Sequence, residues 1–317
     1  MKFKRFIKDN IIVLIFAILT IIAVVIFLQA KVNFLSKANL INLSQFLAVN
    51  TFAALGLTFV IIVGHFDLSF GQVGCLSAMA TSYLIAHDQN YLLAIFVGLA
   101  VGAIWGFLNG ILIAKFKLPD MVATIGSGAL AFGLAYLFNG GNYIFTHFLT
   151  SGIAKLNNNF IMGMPLPFFI LIIVFIVCYY FLSRTTFGRR IYAVGDNTVT
   201  STFSGIKVAS FIITAYLLCG LLASLASIVM TSALGRGNVQ ISVSLLLPSY
   251  TMVYLGMAVF KKVSITGTLL ASVFISIIIN GFNLLSVPFY ISNLVLSIIL
   301  LFGLVMSSLF NKRLQSS

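Results

Sequence analysis

The sequence predicts an all-α polytopic membrane protein with about ten transmembrane helices. Of its 317 residues, 61% are hydrophobic and only 7% are charged, whereas a soluble domain typically carries about 25% charged residues. Apolar runs long enough to cross a bilayer recur along the chain. Basic residues lie at the ends of these runs, so the net charge of +13 indicates membrane topology and lipid contact, and no nucleic-acid partner is expected.

The apolar runs divide the chain into ten predicted spans, which together form one transmembrane domain, residues 1–317. The spans are residues 11–30, 44–64, 72–86, 91–114, 121–138, 167–182, 208–233, 245–260, 263–285 and 289–308. Basic residues precede the first run, as in a signal peptide, but this run exceeds the usual apolar region of about 7 to 15 residues. We therefore expect an uncleaved first helix.

Positive charge assigns a side of the membrane to each loop. With ten spans, Lys31, Lys37, Lys155 and Arg236 fall on the outer side, and all other basic residues fall on the inner side. Lys and Arg in short loops are retained in the cytoplasm during insertion. Both termini and the long basic loop at residues 183–207 are therefore predicted to be cytoplasmic.

Several chemistries are disfavoured by what the sequence lacks. It contains no Glu, and among its five acids only Asp67 could serve a proton relay inside the membrane. The three Cys and three His residues are widely separated, which argues against disulfides and metal sites. No phosphate-binding loop, zinc-protease or serine-hydrolase motif occurs, so we predict no catalytic residue, metal or cofactor, and ATP would have to bind another chain.

The loop at residues 183–207 combines basic and apolar side chains. Arg184, Arg189, Arg190 and Lys207 stand against the single acid Asp196. One interpretation is a solvated connector. The pairing of a basic with an apolar face favours the alternative, a docking surface for a soluble partner.

Two short helices are predicted within this loop. Gly195 can end the first, and Asn197 can cap a second helix of under two turns that runs to Gly205. An i, i+4, i+7 spacing gives the second helix one apolar face. This face consists of Val199, Phe203 and Ile206.

A longer motif covers the same loop. The pattern T-x-F-G-R-x-I-Y-A-V-G-x-N, followed by S-G-I, is carried by Thr185, Phe187, Gly188, Arg189, Ile191, Tyr192, Ala193, Val194, Gly195, Asn197, Ser204, Gly205 and Ile206. It resembles the large cytoplasmic loop of bacterial permeases from the ribose-type sugar ABC importers, a family that includes the autoinducer-2 importer. This chain departs from the family pattern at Asp196, where a second Gly is usual, and at Thr200 and Ser201, where paired Ala is usual.

Other segments extend this resemblance over most of the chain. GHFDLSFG at residues 64–71 resembles the family's G-G-x-D-L-S-x-G segment, with His65 replacing a Gly. Residues 106–119, 245–256 and 267–290 also resemble the family, the last two resembling one of its branches. These motifs are specific for the family but not for the transported solute.

The resemblance implies a type II ABC importer-like permease of the bacterial cytoplasmic (inner) membrane. Such a permease subunit forms the translocation path for a monosaccharide or a similar small neutral solute, such as ribose or autoinducer-2. The implied partners are an ABC ATPase subunit, a second permease copy or paralogue, and a periplasmic or lipid-anchored solute-binding protein. The residues expected at the ATPase contact are Arg184, Thr185, Gly188, Arg189, Arg190, Gly195, Asn197, Val199, Phe203 and Gly205.

The candidates for the translocation path are Asp67, between the second and third predicted spans, and six amide side chains inside the spans: Asn50, Gln72, Asn109, Asn280, Asn283 and Asn293. Each amide could bind a passing sugar hydroxyl or tie two helices together, and as a set they indicate an uncharged path. For Asp67 the preferred interpretation is the N-cap of the third span, aided by Ser69. A role in gating or coupling is the second interpretation, and substrate binding is the third.

Two other function classes remain as alternatives. An ion-coupled secondary transporter of a small solute is disfavoured by the missing Glu and by the docking-type loop. An intramembrane enzyme is disfavoured because the sequence offers no paired catalytic groups.

Overall fold

The computed structural model describes residues 2–30 and 33–315, which are mostly helical. The helices are α1 (Lys2–Gln29), α2 (Lys37–Ile62), α3 (Phe70–Ala86), α4 (Tyr91–Ala114), α5 (Asp120–Leu137), α6 (Lys155–Asn158), α7 (Leu166–Arg184), α8 (Thr186–Asp196), α9 (Thr198–Phe203), α10 (Val208–Leu234), α11 (Leu246–Phe260), α12 (Ile265–Leu284) and α13 (Phe289–Gln315). A 3₁₀ turn, Val243–Leu245, precedes α11.

The ten predicted spans correspond to ten of these helices. Within the described residues, eight helices are long and apolar enough to cross a membrane, and two shorter apolar segments, Phe16–Gln29 of α1 and Phe70–Ala86, complete the set. The predicted all-α class with about ten spans is therefore confirmed. Lys31, which was predicted to lie on the outer side, is outside the described residues.

Side-chain caps explain where several of the helices begin. The Ser36 hydroxyl accepts from the backbone N–H of Asn39, and Asn90 accepts from the N–H of Leu92, at 3.3 and 2.8 Å. Ser264 starts α12 in the same way. Each cap satisfies an N–H that a helix start would leave unpaired.

The centre of the bundle is formed by α2 and α10. Of the most apolar 18-residue windows of these helices, 78% and 67% of residues are buried. A helix that is apolar on all sides is expected to be buried. These two helices pack against each other, and α2 also contacts α7, α11 and α12.

A row of glycines brings α4 into backbone contact with α10. Gly98, Gly102, Gly106 and Gly110 recur every fourth residue and therefore lie on one face of α4. A Cβ atom at Gly102 would strike the carbonyl oxygen of Gly220 on α10. Small residues permit such close packing of membrane helices.

The segment between the spans predicted at residues 121–138 and 167–182 has secondary structure of its own. It contains α6 and a two-stranded antiparallel sheet formed by β1 (Phe160–Ile161) and β2 (Met164–Pro165). The amide of Asn157 donates to the carbonyl oxygen of Val229 on α10 at 2.9 Å. This bond fixes the loop on the end of the central bundle.

Candidate functional site

The predicted loop helices are α8 and α9. The Thr185 hydroxyl accepts from the N–H of Gly188, and the Asn197 side chain accepts from the N–H of Thr200 at 2.9 Å. Gly205 follows α9 in the left-handed conformation, with φ +75°, which costs glycine little. The predicted cap at Asn197 and the stop near Gly205 are therefore confirmed.

Gly195 does not end the first helix, and that prediction was wrong. Helix α8 continues through Gly195 to Asp196. A Cβ atom at Gly195 would collide with the carbonyl oxygen of Ile62, and one at Gly188 with the carbonyl oxygen of Leu182. These two glycines therefore permit close approach of α8 to the ends of α2 and α7, rather than a break in the helix.

One face of α8 is firmly attached to the membrane bundle. Ile191 and Val194 are completely buried. The hydroxyl of Tyr192 donates to the carbonyl oxygen of Val263 at 3.1 Å, and burial raises the pKa of Tyr192 to about 12, so this donor stays protonated near neutral pH. Ser201 of α9 donates to the carbonyl oxygen of Ala193 at 2.8 Å.

The opposite face of this pair of helices is apolar and basic. Val199 and Phe203 expose 63% and 89% of their surface, and Arg184, Arg189 and Arg190 are also exposed. We call these five residues the exposed α8–α9 face, to which Arg184 contributes as the last residue of α7. Val199 and Phe203 are neighbours on α9, so together they form an exposed apolar patch, which fits a contact surface.

Ile206 does not belong to this exposed face, contrary to the sequence-based prediction. Its side chain is half-buried and packs against the main core. The reason is the left-handed Gly205, which ends α9 and turns the chain back so that the N–H of Ile206 bonds to the carbonyl oxygen of Ser201.

A recess lies beside the exposed α8–α9 face. It has a volume of about 410 Å³ and is bounded by the end of α7, by α8, and by the turn between α11 and α12. Arg189 and Lys262 contribute to its wall, which contains no acidic side chain. The end of the bundle that carries α8 is therefore basic beyond the loop itself.

Asp67 lies in the chain break between α2 and α3 and is buried. It is not the N-cap of α3, as was predicted, because that position is occupied by Ser69. The Asp67 carboxylate instead accepts hydrogen bonds from the N–H of Ser69 at 2.8 Å and from its hydroxyl at 2.6 Å. A side chain that bonds the backbone two residues on forms a local turn, so Asp67 shapes the break before the helix starts.

Three predicted path residues meet at this break. The amide of Asn109 donates to the Ser69 hydroxyl at 2.8 Å. With its amide nitrogen facing the protein, Gln72 donates to the carbonyl oxygens of Leu68 and Ser69 at 3.0 and 3.1 Å. Asp67, Gln72 and Asn109 thus have partners within the fold.

Asn280 makes a reciprocal pair with Asn39. Each amide nitrogen donates to the other's side-chain oxygen at 3.0 Å, and both residues are buried. This pair joins α12 to the start of α2. Of the two interpretations of Asn280, helix tying fits this geometry.

The remaining path candidates, Asn50, Asn283 and Asn293, line one cavity of about 360 Å³. The cavity is formed by α2, α6, α10, the turn before α11, and α12 and α13. Its other polar lining residues are Asn42, Gln45, Asn157, Ser244 and Ser292. Its lining contains no charged side chain.

Part of this cavity lining could have been predicted from the sequence. Asn42, Gln45 and Asn50 occupy positions that share one face of α2, and periodicity could have grouped them. Asn157 could not be found in this way, because it reaches the cavity from a loop that is distant in sequence.

The cavity and the exposed α8–α9 face lie at opposite ends of the bundle. Asn42 belongs to the first half of α2 and Asn50 to its middle, whereas Ile62, at its other end, contacts Gly195. At a rise of 1.5 Å per residue, Asn42 and Ile62 are about 30 Å apart along the helix. Helix α2 therefore runs from the cavity to the loop.

Comparison with known proteins identifies the family. Residues 39–304 match the family described as the branched-chain amino acid transport system permease component. The chain is 33% identical over 301 residues to the ribose import permease of Escherichia coli strain K12, covering 92% of both proteins. It is 32% identical over 276 residues to the ribose import permease of Bacillus subtilis strain 168, covering 86% of both. It is 29% identical over 272 residues to an autoinducer 2 import system permease of Photorhabdus laumondii, covering 84% of this chain and 81% of the relative.

A solved structure supports the fold. An inward-facing metal-chelate type ABC transporter aligns with a TM-score of 0.51 and 16% identity, over 96% of this chain and 99% of the other. At this identity the likeness concerns the fold alone. Together with the extended family match, it confirms the predicted resemblance: the chain belongs to the branched-chain amino acid transport system permease component family and is a multi-pass permease of an ABC transport system.

Proposed function

We propose that the solute of this permease is a monosaccharide or a similar small neutral molecule, such as ribose or autoinducer-2. The observation that carries the proposal is the cavity of about 360 Å³, whose polar lining consists of amides and hydroxyls without a charged group. A charged solute would lose its hydration there without gaining a counterion. Relatives that are named as ribose and autoinducer 2 import permeases support the same solute class.

ATP is proposed to be bound and hydrolysed by a separate ATPase subunit that docks on the exposed α8–α9 face. Phe203 and Val199 supply an apolar anchor, and Arg189 and Arg190 supply charge at its rim. A six-residue helix cannot be stable in isolation, but α9 is capped and held to α8. A preformed contact surface costs a partner little ordering entropy.

The complete importer is proposed to contain two permease chains and a solute-binding protein on the outer side. The loop carrying α8 and α9 and both chain termini would face the cytoplasm, as the positive charges of the sequence indicate. The solute would enter from the binding protein into the end of the bundle that holds the cavity.

The candidate path residues are proposed to have two different roles. Asn50 and Asn283, with Asn293, would line the path, because they border the cavity. Asp67, Gln72, Asn109 and Asn280 would hold the helices in position, because their side chains bond within the fold and do not border the cavity.

Uptake by the reconstituted importer tests this function. Vesicles that contain the permease, its ATPase and its binding protein should take up labelled ribose or autoinducer-2 only with ATP inside, and ionophores should not slow the uptake. Uptake without ATP that collapses with an ionophore would instead establish an ion-coupled secondary transporter. Failure to transport any neutral solute would reject the proposed solute class.

A further inference from the structure

We propose that the permease itself recognises its solute, at a site formed by the cavity at the end of the bundle opposite α8 and α9. The ligand class is a neutral polyhydroxylated molecule of monosaccharide size. This inference rests on the proposed function and adds to it, because a permease that receives solute from a binding protein could function with a featureless path.

The size of the cavity suits a small ligand. Small-molecule sites typically enclose about 300 to 1,000 Å³, and this cavity, at about 360 Å³, lies near the lower limit. Its walls come from both halves of the chain, with Asn42 and Gln45 on α2 facing Asn283 on α12 and Asn293 on α13. Such convergence gives one bound solute several independent contacts.

Free hydrogen-bonding groups point to hydroxyl recognition. The exposed side chains of Asn42, Asn283 and Asn293 make no hydrogen bond with any described residue. Each amide offers two donors and an acceptor. A hydroxyl both donates and accepts, so it can pair with any part of such an amide.

Two buried side-chain oxygens also indicate that the cavity binds a ligand with hydrogen-bond donors. Asn50 and Asn157 line the cavity and donate through their nitrogens to the carbonyl oxygens of Phe46 and Val229, both at 2.9 Å. Their side-chain oxygens are buried and have no partner among the described residues. Buried acceptors are normally satisfied, so we expect a solute, together with a small side-chain adjustment, to supply the missing donors.

The apolar part of the cavity wall favours neutral sugars over charged solutes. Phe46, Val49, Phe289 and Leu296 border the cavity beside the amides. A sugar presents C–H faces as well as hydroxyls, and an aromatic ring can pack against such a face. A phosphorylated sugar or a zwitterionic amino acid would place a charge against this apolar wall, where the lining offers no compensating charge.

Protection of an introduced thiol tests the site in the purified permease–ATPase complex. Ala233→Cys places the thiol on the cavity wall without removing an amide, and the matched control Asn158→Cys places one on an exposed loop position outside the lining. The native Cys75, Cys178 and Cys219 are buried. The rate of labelling with an impermeant maleimide would be measured at increasing concentrations of each of five compounds: ribose, xylose, galactose, ribose 5-phosphate and leucine.

At least one neutral sugar should slow labelling at Ala233→Cys saturably and leave labelling at Asn158→Cys unchanged. Ribose 5-phosphate and leucine should slow labelling at neither position. Adding Asn283→Leu or Asn293→Leu should raise the half-protecting sugar concentration about threefold to tenfold, as expected for loss of one hydrogen bond. The two substitutions lie on different helices, so the test remains valid if one of the two variants misfolds. Protection by the charged compounds, absence of protection by every sugar, or indifference to both variants would overturn the site. ATP-driven sugar uptake by the same complex without protection would reject this site while leaving the proposed function intact.

Discussion

The α-carbon of Gly195 lies directly against the carbonyl oxygen of Ile62, the last residue of α2. Through this contact the helix that carries the exposed α8–α9 face abuts the central helix of the bundle. The first half of α2 borders the uncharged cavity at Asn42, and the middle of the helix borders it at Asn50. A displacement of α8 by a docked ATPase would therefore act directly on a helix that also lines the cavity.

Gly195→Ala should disturb this contact. The added Cβ atom would meet backbone rather than a flexible side chain, and overpacking of this kind costs about 1 to 3 kcal/mol. We expect a lower melting temperature of the purified permease and slower ATP-driven uptake. Gly126→Ala is the matched control, since a Cβ atom there meets nothing within 4 Å. Equal melting and uptake for the two variants would contradict the proposed contact between α8 and α2.

Phe203→Ala should release the ATPase from the complex. An aromatic anchor buried at an interface commonly contributes 2 kcal/mol or more, whereas a charge at the rim mainly changes the association rate and the salt sensitivity. Arg190→Ala should therefore lose the ATPase only as salt is raised. ATPase retention on immobilised permease across a salt series measures both effects.

Thr202→Ala, on the exposed side of the same helix, serves as the control for Phe203→Ala. It should retain the ATPase like the wild type. If Phe203→Ala also retains the ATPase at every salt concentration, the exposed α8–α9 face is not the docking element.

Asn280→Leu should destabilise the bundle by about 1 to 2 kcal/mol, because it leaves the buried side-chain oxygen of Asn39 without a donor. The double variant Asn39→Leu/Asn280→Leu should recover part of this loss, since both polar groups are then removed. Unfolding free energies in detergent would be compared in a double-mutant cycle. Strictly additive effects of the two substitutions would show that the pair contributes no coupling.

Asp67→Asn should retain part of the turn before α3, since its side-chain oxygen can still accept from the N–H of Ser69. Asp67→Leu removes that acceptor and leaves a buried N–H unsatisfied, at a cost of about 1 to 3 kcal/mol. Transport should therefore fall further in the Leu variant. Complete loss of transport in both variants, with normal assembly, would show that the negative charge of Asp67 is required.

Cysteine labelling tests the proposed sidedness. Asn158→Cys and Asn238→Cys should react with an impermeant thiol reagent from outside intact cells, and Thr198→Cys should react only after the membrane is opened. The first two positions lie in the loops near the cavity, and the third begins α9. Labelling of Thr198→Cys in intact cells would reverse the orientation.

The spans were predictable because the membrane imposes one rule along the whole chain: backbone groups in hydrocarbon must pair within a helix or a closed barrel. Helix ends were equally predictable where they depend only on residues close in sequence. Asn197 caps α9 and Gly205 follows its end, as the sequence indicated.

Predictions failed where a distant contact determined the structure. Gly195 looked like a helix stop, but its lack of a side chain is needed for the approach of Ile62. Asp67 was expected to cap α3, but it lies two residues before the cap position, in a break whose backbone bonds to the distant Tyr250 hydroxyl. The amides of the spans looked equivalent in sequence, and only the packing separates Asn280, which pairs with Asn39, from Asn283, which borders the cavity.

The glycine row on α4 limits how the bundle can change shape. Where Gly102 and Gly106 meet α10, backbone touches backbone, so no long side chains exist there that could rotate to permit sliding. The two helices should therefore move as one rigid body. We expect helices to move relative to each other at contacts between large side chains instead when the protein opens to alternate sides. One such contact joins Phe16 of α1 and Phe274 of α12, whose ring centroids lie 5.2 Å apart.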